Sequence, residues 1–352
     1  MRGILVEKIG GEYSIVDTLE KPKPSATQVL VKSLVTGINP VEGFMQGTGQ
    51  LVTAWPIVLG CDASGIVVET GSSVKKFKQG DGIFGCTRLG VPGHSTFQEY
   101  FLMDENLAFK RPEEITVEEA ATIGVGLLTA CLGLVSGTKI NLEPDSAAVP
   151  NEWIIVLGAA GSVGQYAVQG STVPSRSLQN YLDIKSLHHA RLQFLKDLGV
   201  DATFSYKIPL TEQLAEIAAI AKGKCSRCFD ASAMAGETGM EALAQCGDPQ
   251  VPVKYFATTN DWMPIAPKED IEMYLVKLGA IGRSGTEDIA QFNRDTEEFI
   301  PKLENYLRGG LIKPMEYDIV GGVGVGEVLK GLDAFNARKG GEKKILVRIA
   351  DD

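Results

Sequence analysis

The sequence predicts an α/β chain of about two domains, in which a parallel-sheet domain is inserted into a mostly β domain. Three observations predict it. A length of 352 residues exceeds the size at which one hydrophobic core keeps growing. Residues 1–115 run as short β-rich segments between turn residues, whereas helical and strand-like segments alternate after them. The chain ends on a helix followed by a β-run, which can rejoin the first domain and make it discontinuous.

The elements follow in order. GILVEKI, YSIVDTLE, QVLVKSLVTGI, GIVVETG and FQEYFLMD are apolar or β-branched runs, punctuated by Gly10, Gly11, Gly71, Gly80, Gly82 and Gly85. They predict a compact β domain of barrel type. Thr116 followed by Glu118 and Glu119 is a helix-start signal, and the apolar TVEEAATIGVGLLTACLGLV after it predicts a buried helix. A polar loop at 139–151 leads into WIIVLG, a continuous apolar run of the kind found in strands covered on both faces. HARLQFLKDLG sets Leu192, Leu195 and Leu198 on one helical face and stops at Gly199. DATFSY then reads as a strand, LTEQLAEIAAIAKG as an amphipathic helix and RCFDASA as a strand. The alternation implies parallel strands joined by right-handed crossovers.

Composition narrows the function classes. The net charge of −10, with acidic and basic residues interspersed, argues against a nucleic-acid surface, which needs clustered Lys and Arg. No run of about 18 apolar residues is present to span a membrane. The N-terminal apolar stretch is broken too early by Glu7 and Lys8 for a signal peptide. Six scattered cysteines suit a reducing compartment, so a cytosolic protein is expected.

The most informative stretch is Trp153–Leu157 followed by GAAGSVGQYAVQ. Gly158, Gly161 and Gly164 fall where a strand turns into a helix. Glycine there allows a tight turn, close backbone approach to a pyrophosphate, and helix–strand contact. Backbone N–H groups of Ala160, Gly161, Ser162, Val163 and Gly164 would meet phosphate oxygens, aided by the helix dipole. Dinucleotide binding is the expectation.

With these residues in view, several segments resemble the medium-chain dehydrogenase/reductase superfamily, in particular its quinone-oxidoreductase-like branch. GINPVEGFMQG at 37–47 looks like the family's Asn-Pro segment at the substrate cleft. PIVLGCDASGIVVETGSSVKKFKQGDGIFG at 56–85 is similar to its glycine-and-valine signature. TFQEYFLMDENLAFKRPEEITVEEAATIGVGLLTA at 96–130 matches its connection into the cofactor domain, and the terminal KGGEKKILVRI completes the set. The resemblance is nearest to the trans-acting enoyl reductases and related dehydrogenases of fungal polyketide clusters. It implies a GroES-like β-barrel substrate domain over residues 1–125, a Rossmann cofactor-binding domain over 126–300, and a return to the first domain over 301–352.

The superfamily divides on zinc. The first zinc position corresponds to Asn39, a poor ligand. The usual Gly-His-Glu is here Gly60-Cys61-Asp62, and only Cys86 lies where a four-cysteine lobe is expected. Core and turn roles for these residues are favoured, and no metal is expected. Hydride transfer to a simple ketone needs a Lewis acid or a strong proton donor, whereas an alkene conjugated to a carbonyl or thioester spreads the charge itself. The resemblance therefore implies NADPH-dependent reduction of an activated C=C bond. The alternatives are an alcohol or aldehyde dehydrogenase, a quinone reductase, or an inactive homologue that binds cofactor.

Asn39 and Thr129 are the candidate catalytic residues by their match to family segments. A turn-forming Asn-Pro, and a core or domain-junction threonine, are the alternatives. Tyr100 lies in a similar position. Phe44 and Met45 stand where the thioester-reductase branch carries a tyrosine, so no proton donor identifies itself. SLHHARLQFLKDLG resembles the stretch after the second cofactor-domain strand. There Ser186 would meet the adenosine 2′-phosphate and His188 a phosphate, which favours NADPH; Asp183 would instead favour NADH. Lys343 and Lys344 either approach the cofactor or form a solvated charge run. The expected partners are a small-molecule substrate and a polyketide synthase that supplies it, with no nucleic acid and no membrane, in a monomer or homodimer.

Three features depart from the pattern or stand apart from it. GSTVPSRSLQNYLDIK at 170–185 makes a poor helix end at Pro174 and a weak strand at YLDIK, where the family has a strong β-run. Cys225 and Cys228 have redox-motif spacing but open a strand, so an inert pair is expected. His94 is expected in a loop.

Overall fold

A computed structural model describes residues 1–142, 152–172, 180–185, 189–338 and 341–351. In chain order the elements are β1 (Gly3–Val6), β2 (Tyr13–Val16), β3 (Gln28–Gly37), α1 (Pro40–Thr48), β4 (Ile57–Val58), β5 (Asp62–Thr70), β6 (Gly82–Cys86), β7 (Tyr100–Asp104), β8 (Phe109–Lys110) and α2 (Val117–Ala121). The second part holds α3 (Gly124–Cys131), β9 (Trp153–Leu157), α4 (Ser162–Thr172), β10 (Asn180–Lys185), α5 (His189–Asp197), β11 (Ala202–Ser205), α6 (Leu210–Ala221), β12 (Cys225–Asp230), α7 (Gly236–Cys246), β13 (Lys254–Thr258) and β14 (Ile271–Leu275). The last part holds α8 (Glu287–Arg308), β15 (Tyr317–Val323), α9 (Glu327–Ala337) and β16 (Lys344–Arg348).

Two units result. The first comprises Met1–Val125, Leu278–Gly310 and Pro314–Asp352, and the second Gly126–Lys277 with Leu311–Lys313. The chain re-enters the first unit at Leu278, ahead of the expected residue 301. The physical reason is α8, whose apolar face of Phe292, Phe299, Ile300, Leu303 and Leu307 is buried. Its Glu304 accepts from the Lys110 N–H at 2.7 Å and pairs with Lys76 at 2.9 Å, both in the first unit. The helix expected from Thr116 is also interrupted. Thr116 caps α2 through the Glu119 N–H, but α2 ends at Ala121 and α3 starts afresh at Gly124.

In the first unit the main sheet runs β15-β16-β3-β5-β6-β8, with β7 also on β3. β3 is its centre because QVLVKSLVTG is almost wholly buried and can take strand partners on both edges. Val29, Val31, Val67, Ile83, Phe101 and Met103 form one core beneath it. The returning strand β16 pairs antiparallel with β3, Leu346 opposite Gly37 and Arg348 opposite Val35. Gly37 also pairs with Asp62 of β5. Two strands distant in sequence thus flank the end of β3.

The second unit is a six-stranded parallel sheet of order β11-β10-β9-β12-β13-β14. β9 is central and the order reverses around it, so the carboxyl end of β9 is the switch point where such sheets bind ligands. Ile155, Leu157, Ile217, Leu243 and Phe256 build the core, and Cys225 and Cys228 sit within it. YLDIK, a weak strand by composition, nevertheless forms β10 between β9 and β11. Its two neighbours supply the backbone partners that its own side chains do not favour. Among the described residues no helix is long and apolar enough to cross a membrane.

Candidate functional site

The turn after β9 carries the glycine pattern with the geometry that pattern requires. Gly158 has φ +83°, a conformation L side chains rarely adopt. A Cβ there would stand 2.8 Å from Ser232 Cβ. A Cβ on Gly164 would collide with the carbonyl oxygen of Gly158 and stand 2.5 Å from Ala159 Cα, so that glycine lets α4 start directly against the turn. Gly161 differs: a Cβ there would meet only Gly158 O, at 3.4 Å. The space in front of it is open on the protein side. The first amides of α4 have no acceptor within the helix and lie at its positive end.

Two hydroxyl groups in this unit await a partner. Ser162 Oγ at the start of α4 and Thr129 Oγ1 on α3 are shut off from solvent without a hydrogen bond among the described residues. α3 approaches α4 closely here, since a Cβ on Gly126 would stand 2.5 Å from Ser162 Oγ. Buried hydroxyls without partners are costly and rare. An open turn, the first amides of α4 and orphaned hydroxyls together fit the phosphates and polar groups of a dinucleotide. Ser162, Val163, Gly164 and Thr129 are the residues that would hold it.

Asp230, at the end of β12 beside Leu157, is a residue the sequence reading missed. Its carboxylate accepts from the Ser232 N–H (3.0 Å) and hydroxyl (2.6 Å), the Ala235 N–H (3.2 Å) and the Thr258 hydroxyl (3.0 Å). It thereby fixes the loops that follow β12 and β13. Burial raises its pKa, against the pull of these hydrogen bonds. The signal was an Asp followed by small residues, DASA, the pattern of a side chain that caps its own turn.

In the first unit a second polar cluster lies where β3 ends. Lys344 reaches Asp62 at 2.8 Å and donates to Asn39 Oδ1, and all three side chains are buried. A Cβ on Gly37 would stand 2.7 Å from Lys344 Cε, so glycine clears the path of that side chain over β3. Asn39 Nδ2 donates to Asp62 Oδ2 at 3.1 Å. Glu42 accepts from the Asn39 N–H at 2.6 Å and from the Cys61 thiol at 3.0 Å. Burial, with a smaller contribution from Asp62, raises the Glu42 carboxyl to about 7 despite the opposing pull of Cys61, Lys344 and Asn39. Burial, then the charge of Glu42, raises the Cys61 thiol well above its ordinary range.

The predicted residues therefore fall into two groups. Asn39 and Lys344 meet in the first unit; Gly158, Ala160, Gly161, Ser162, Val163, Gly164 and Thr129 belong to the second. Lys344 is no solvated charge, and both ends of the Asn39 amide are engaged within the protein. Glu42 was missed, although Asn39 and Glu42 have the spacing of a helix cap and its third residue. Ser186 and His188 lie outside the described residues. Cys225 and Cys228 are buried, with the Cys225 thiol pushed up to about 12 by desolvation first and by the charges of Cys246 and Glu152 next. His94 lies in a loop, as expected, and is buried there. Among the described residues no group of three His, Cys, Asp or Glu side chains could hold a metal ion.

Comparison with known proteins agrees with this architecture. Residues 25–113 match the family of the alcohol dehydrogenase GroES-like domain. The chain is 28% identical to the dehydrogenase pigH of Monascus ruber, over 73% of this chain and 69% of that protein. It is 30% identical to the trans-enoyl reductase tazE of Aspergillus terreus, over 58% of this chain and 67% of that one. A quinone oxidoreductase structure from Pseudomonas syringae superposes with TM-score 0.76 at 19% identity, covering 99% of both chains, and so shares the fold.

Proposed function

The chain belongs to the medium-chain dehydrogenase/reductase superfamily, and on that premise we propose that it is an oxidoreductase that uses NADPH to reduce an alkene conjugated to a carbonyl or thioester, without zinc. The observation that carries this reading is the donor set at the end of β3. Where zinc-dependent members place ligands, Asn39 and Asp62 bond to Lys344, and Cys61 keeps its proton against Glu42. Such a set favours a substrate that delocalises its own developing charge.

The bound nicotinamide would supply the hydride. The chain's residues bind and orient. The amides of Ser162, Val163 and Gly164 and the Ser162 hydroxyl hold phosphate oxygens. The Thr129 hydroxyl donates to a polar group of the cofactor or substrate. Lys344 and Asp62 hold Asn39 and the end of β3 in place. Solvent supplies the proton to the α-carbon.

The preference for NADPH rests on the resemblance around Ser186 and His188. Supply of the substrate by a polyketide synthase rests on the resemblance to fungal enzymes, and a cytosolic site on the six scattered cysteines. Fluorescence titration of purified protein with NADPH and NADH, followed by assays with an enone, an enoyl thioester, a quinone and a simple ketone, tests the reading. Tight NADPH binding and saturated product from the enone or thioester support it. Turnover of quinone alone reassigns the substrate. Ketone turnover abolished by a chelator rejects it, and absence of nucleotide binding marks an inactive homologue.

A further inference from the structure

The cluster at the end of β3 contains more carboxyl groups than cations. Asp62 and Lys344 balance one another at 2.8 Å, and Glu42 is a second carboxyl with no exposure to solvent. The geometry points to Glu42 as a positioning residue for Asn39, one that works in its protonated, uncharged form. The turnover test of this inference rests on the reductase reading above.

Glu42 holds Asn39 directly. Its Oε2 accepts the Asn39 N–H at 2.6 Å, and its Oε1 lies 3.4 Å from Asn39 Nδ2. The titratable groups whose fields it feels are Tyr13 on β2, Cys61 and Asp62 at the start of β5, Cys86 on β6 and Lys344 on β16. Of these only Lys344 is positive, and Asp62 and Asn39 already occupy its ammonium. An ionised Glu42 is therefore an uncompensated buried charge, which is costly. It also competes with Asp62 for Lys344 and draws that ammonium away from Asn39 Oδ1. The neutral form avoids both effects and keeps the acceptor for the Asn39 N–H. Burial places the titration near pH 7.

Three measurements test the proposal. The first is infrared difference spectroscopy of the unmodified protein labelled in its glutamate carboxyls. It is expected to show a protonated carboxyl lost between pH 6 and 8 and missing from Glu42→Gln. The second is thermal unfolding over the same range, where the midpoint falls with rising pH in the wild type and Glu42→Gln flattens that slope. In the third, kcat for an activated alkene falls ~10-fold between pH 6 and 8 at constant KM, as a group titrating near 7 requires, and Glu42→Gln keeps its kcat at pH 8. A fully ionised Glu42 at pH 6, or an unchanged melting slope in Glu42→Gln, overturns the proposal. The loss of a protonated carboxyl between pH 6 and 8 is read in the wild type, and the variant serves only to assign it. If no acceptor is reduced, the reductase reading fails, and the infrared and melting results alone decide the role of Glu42.

Discussion

The Lys344 ammonium lies 2.8 Å from Asp62 Oδ2, having crossed the bare backbone of Gly37 to reach it. The pair joins the last strand of the first unit to β5, residues 282 apart in sequence, with the side chains 3% and 0% exposed. Removing one partner leaves an unpaired buried charge. Lys344→Met is expected to cost about 3–5 kcal/mol in urea unfolding, and adding Asp62→Leu to recover part of that loss. A double variant less stable than Lys344→Met contradicts the role of the pair.

Gly37→Ala places a methyl group 2.7 Å from Lys344 Cε and 2.8 Å from the Ala121 carbonyl oxygen. The expected cost is about 1–3 kcal/mol. Because part of the clash is with Lys344, the cost shrinks in a Lys344→Ala background. Chemical denaturation of the four proteins of that cycle measures the coupling; strict additivity would show that Lys344 does not cross here.

The glycines of the β9–α4 turn separate folding from binding. Gly164→Ala, obstructed by backbone, lowers the thermal midpoint and nucleotide affinity together. Gly161→Ala meets only Gly158 O at 3.4 Å, so it leaves the midpoint within a few degrees while weakening nucleotide binding by about tenfold or more. Equal affinity in Gly161→Ala and wild type, measured by nicotinamide fluorescence, would place the pyrophosphate elsewhere.

Ser162→Ala and Thr129→Val remove hydroxyls that have no partner among the described residues. Their stability is expected within about 1 kcal/mol of wild type, or above it, because nothing is broken and a desolvation penalty is relieved. Nucleotide affinity falls in Ser162→Ala, and kcat/KM falls in Thr129→Val. A large loss of stability in either variant, with affinity intact, would assign these hydroxyls to the core.

Buried His94 accepts from Gln28 Nε2 (3.3 Å), which also donates to Asp104 (3.0 Å), itself bound by Arg88. Desolvation lowers its pKa to about 4, with the Arg88 charge assisting and Asp104 opposing. The folded value lies below the unfolded one near 6.5, so this contribution is complete above pH 6.5 and is lost as pH falls toward 4. The loss is on the order of 3 kcal/mol. His94→Gln is expected to flatten that acid limb of the pH–stability curve, as followed by circular dichroism; an unchanged limb assigns the acid sensitivity to other groups.

Local pattern made much of the fold legible. WIIVLG and GAAGSVG place a strand, a turn and a helix start in one run; Gly158 turns the chain at φ +83° and Gly164 lets α4 start against the turn. The apolar period of LTEQLAEIAAIA is that of α6. YLDIK reads only as a weak strand for the opposite reason: its strand state is supported by β9 and β11 on either side, which no local pattern records. The return of the chain at Leu278 was hidden in the same way, because α8 is amphipathic whichever unit it packs on.

The sequence alone determined the β9–α4 turn and the parallel sheet around it. These are properties of neighbouring residues, set by backbone freedom and side-chain chemistry. Only the tertiary structure decided that Lys344 is buried, that it meets Asn39 and Asp62, and that Glu42 has no cation of its own among the described residues. Those facts depend on β16 pairing with β3 opposite β5, a contact between segments about 300 residues apart. Charge and burial acquire their energetic meaning only once such distant strands share an edge.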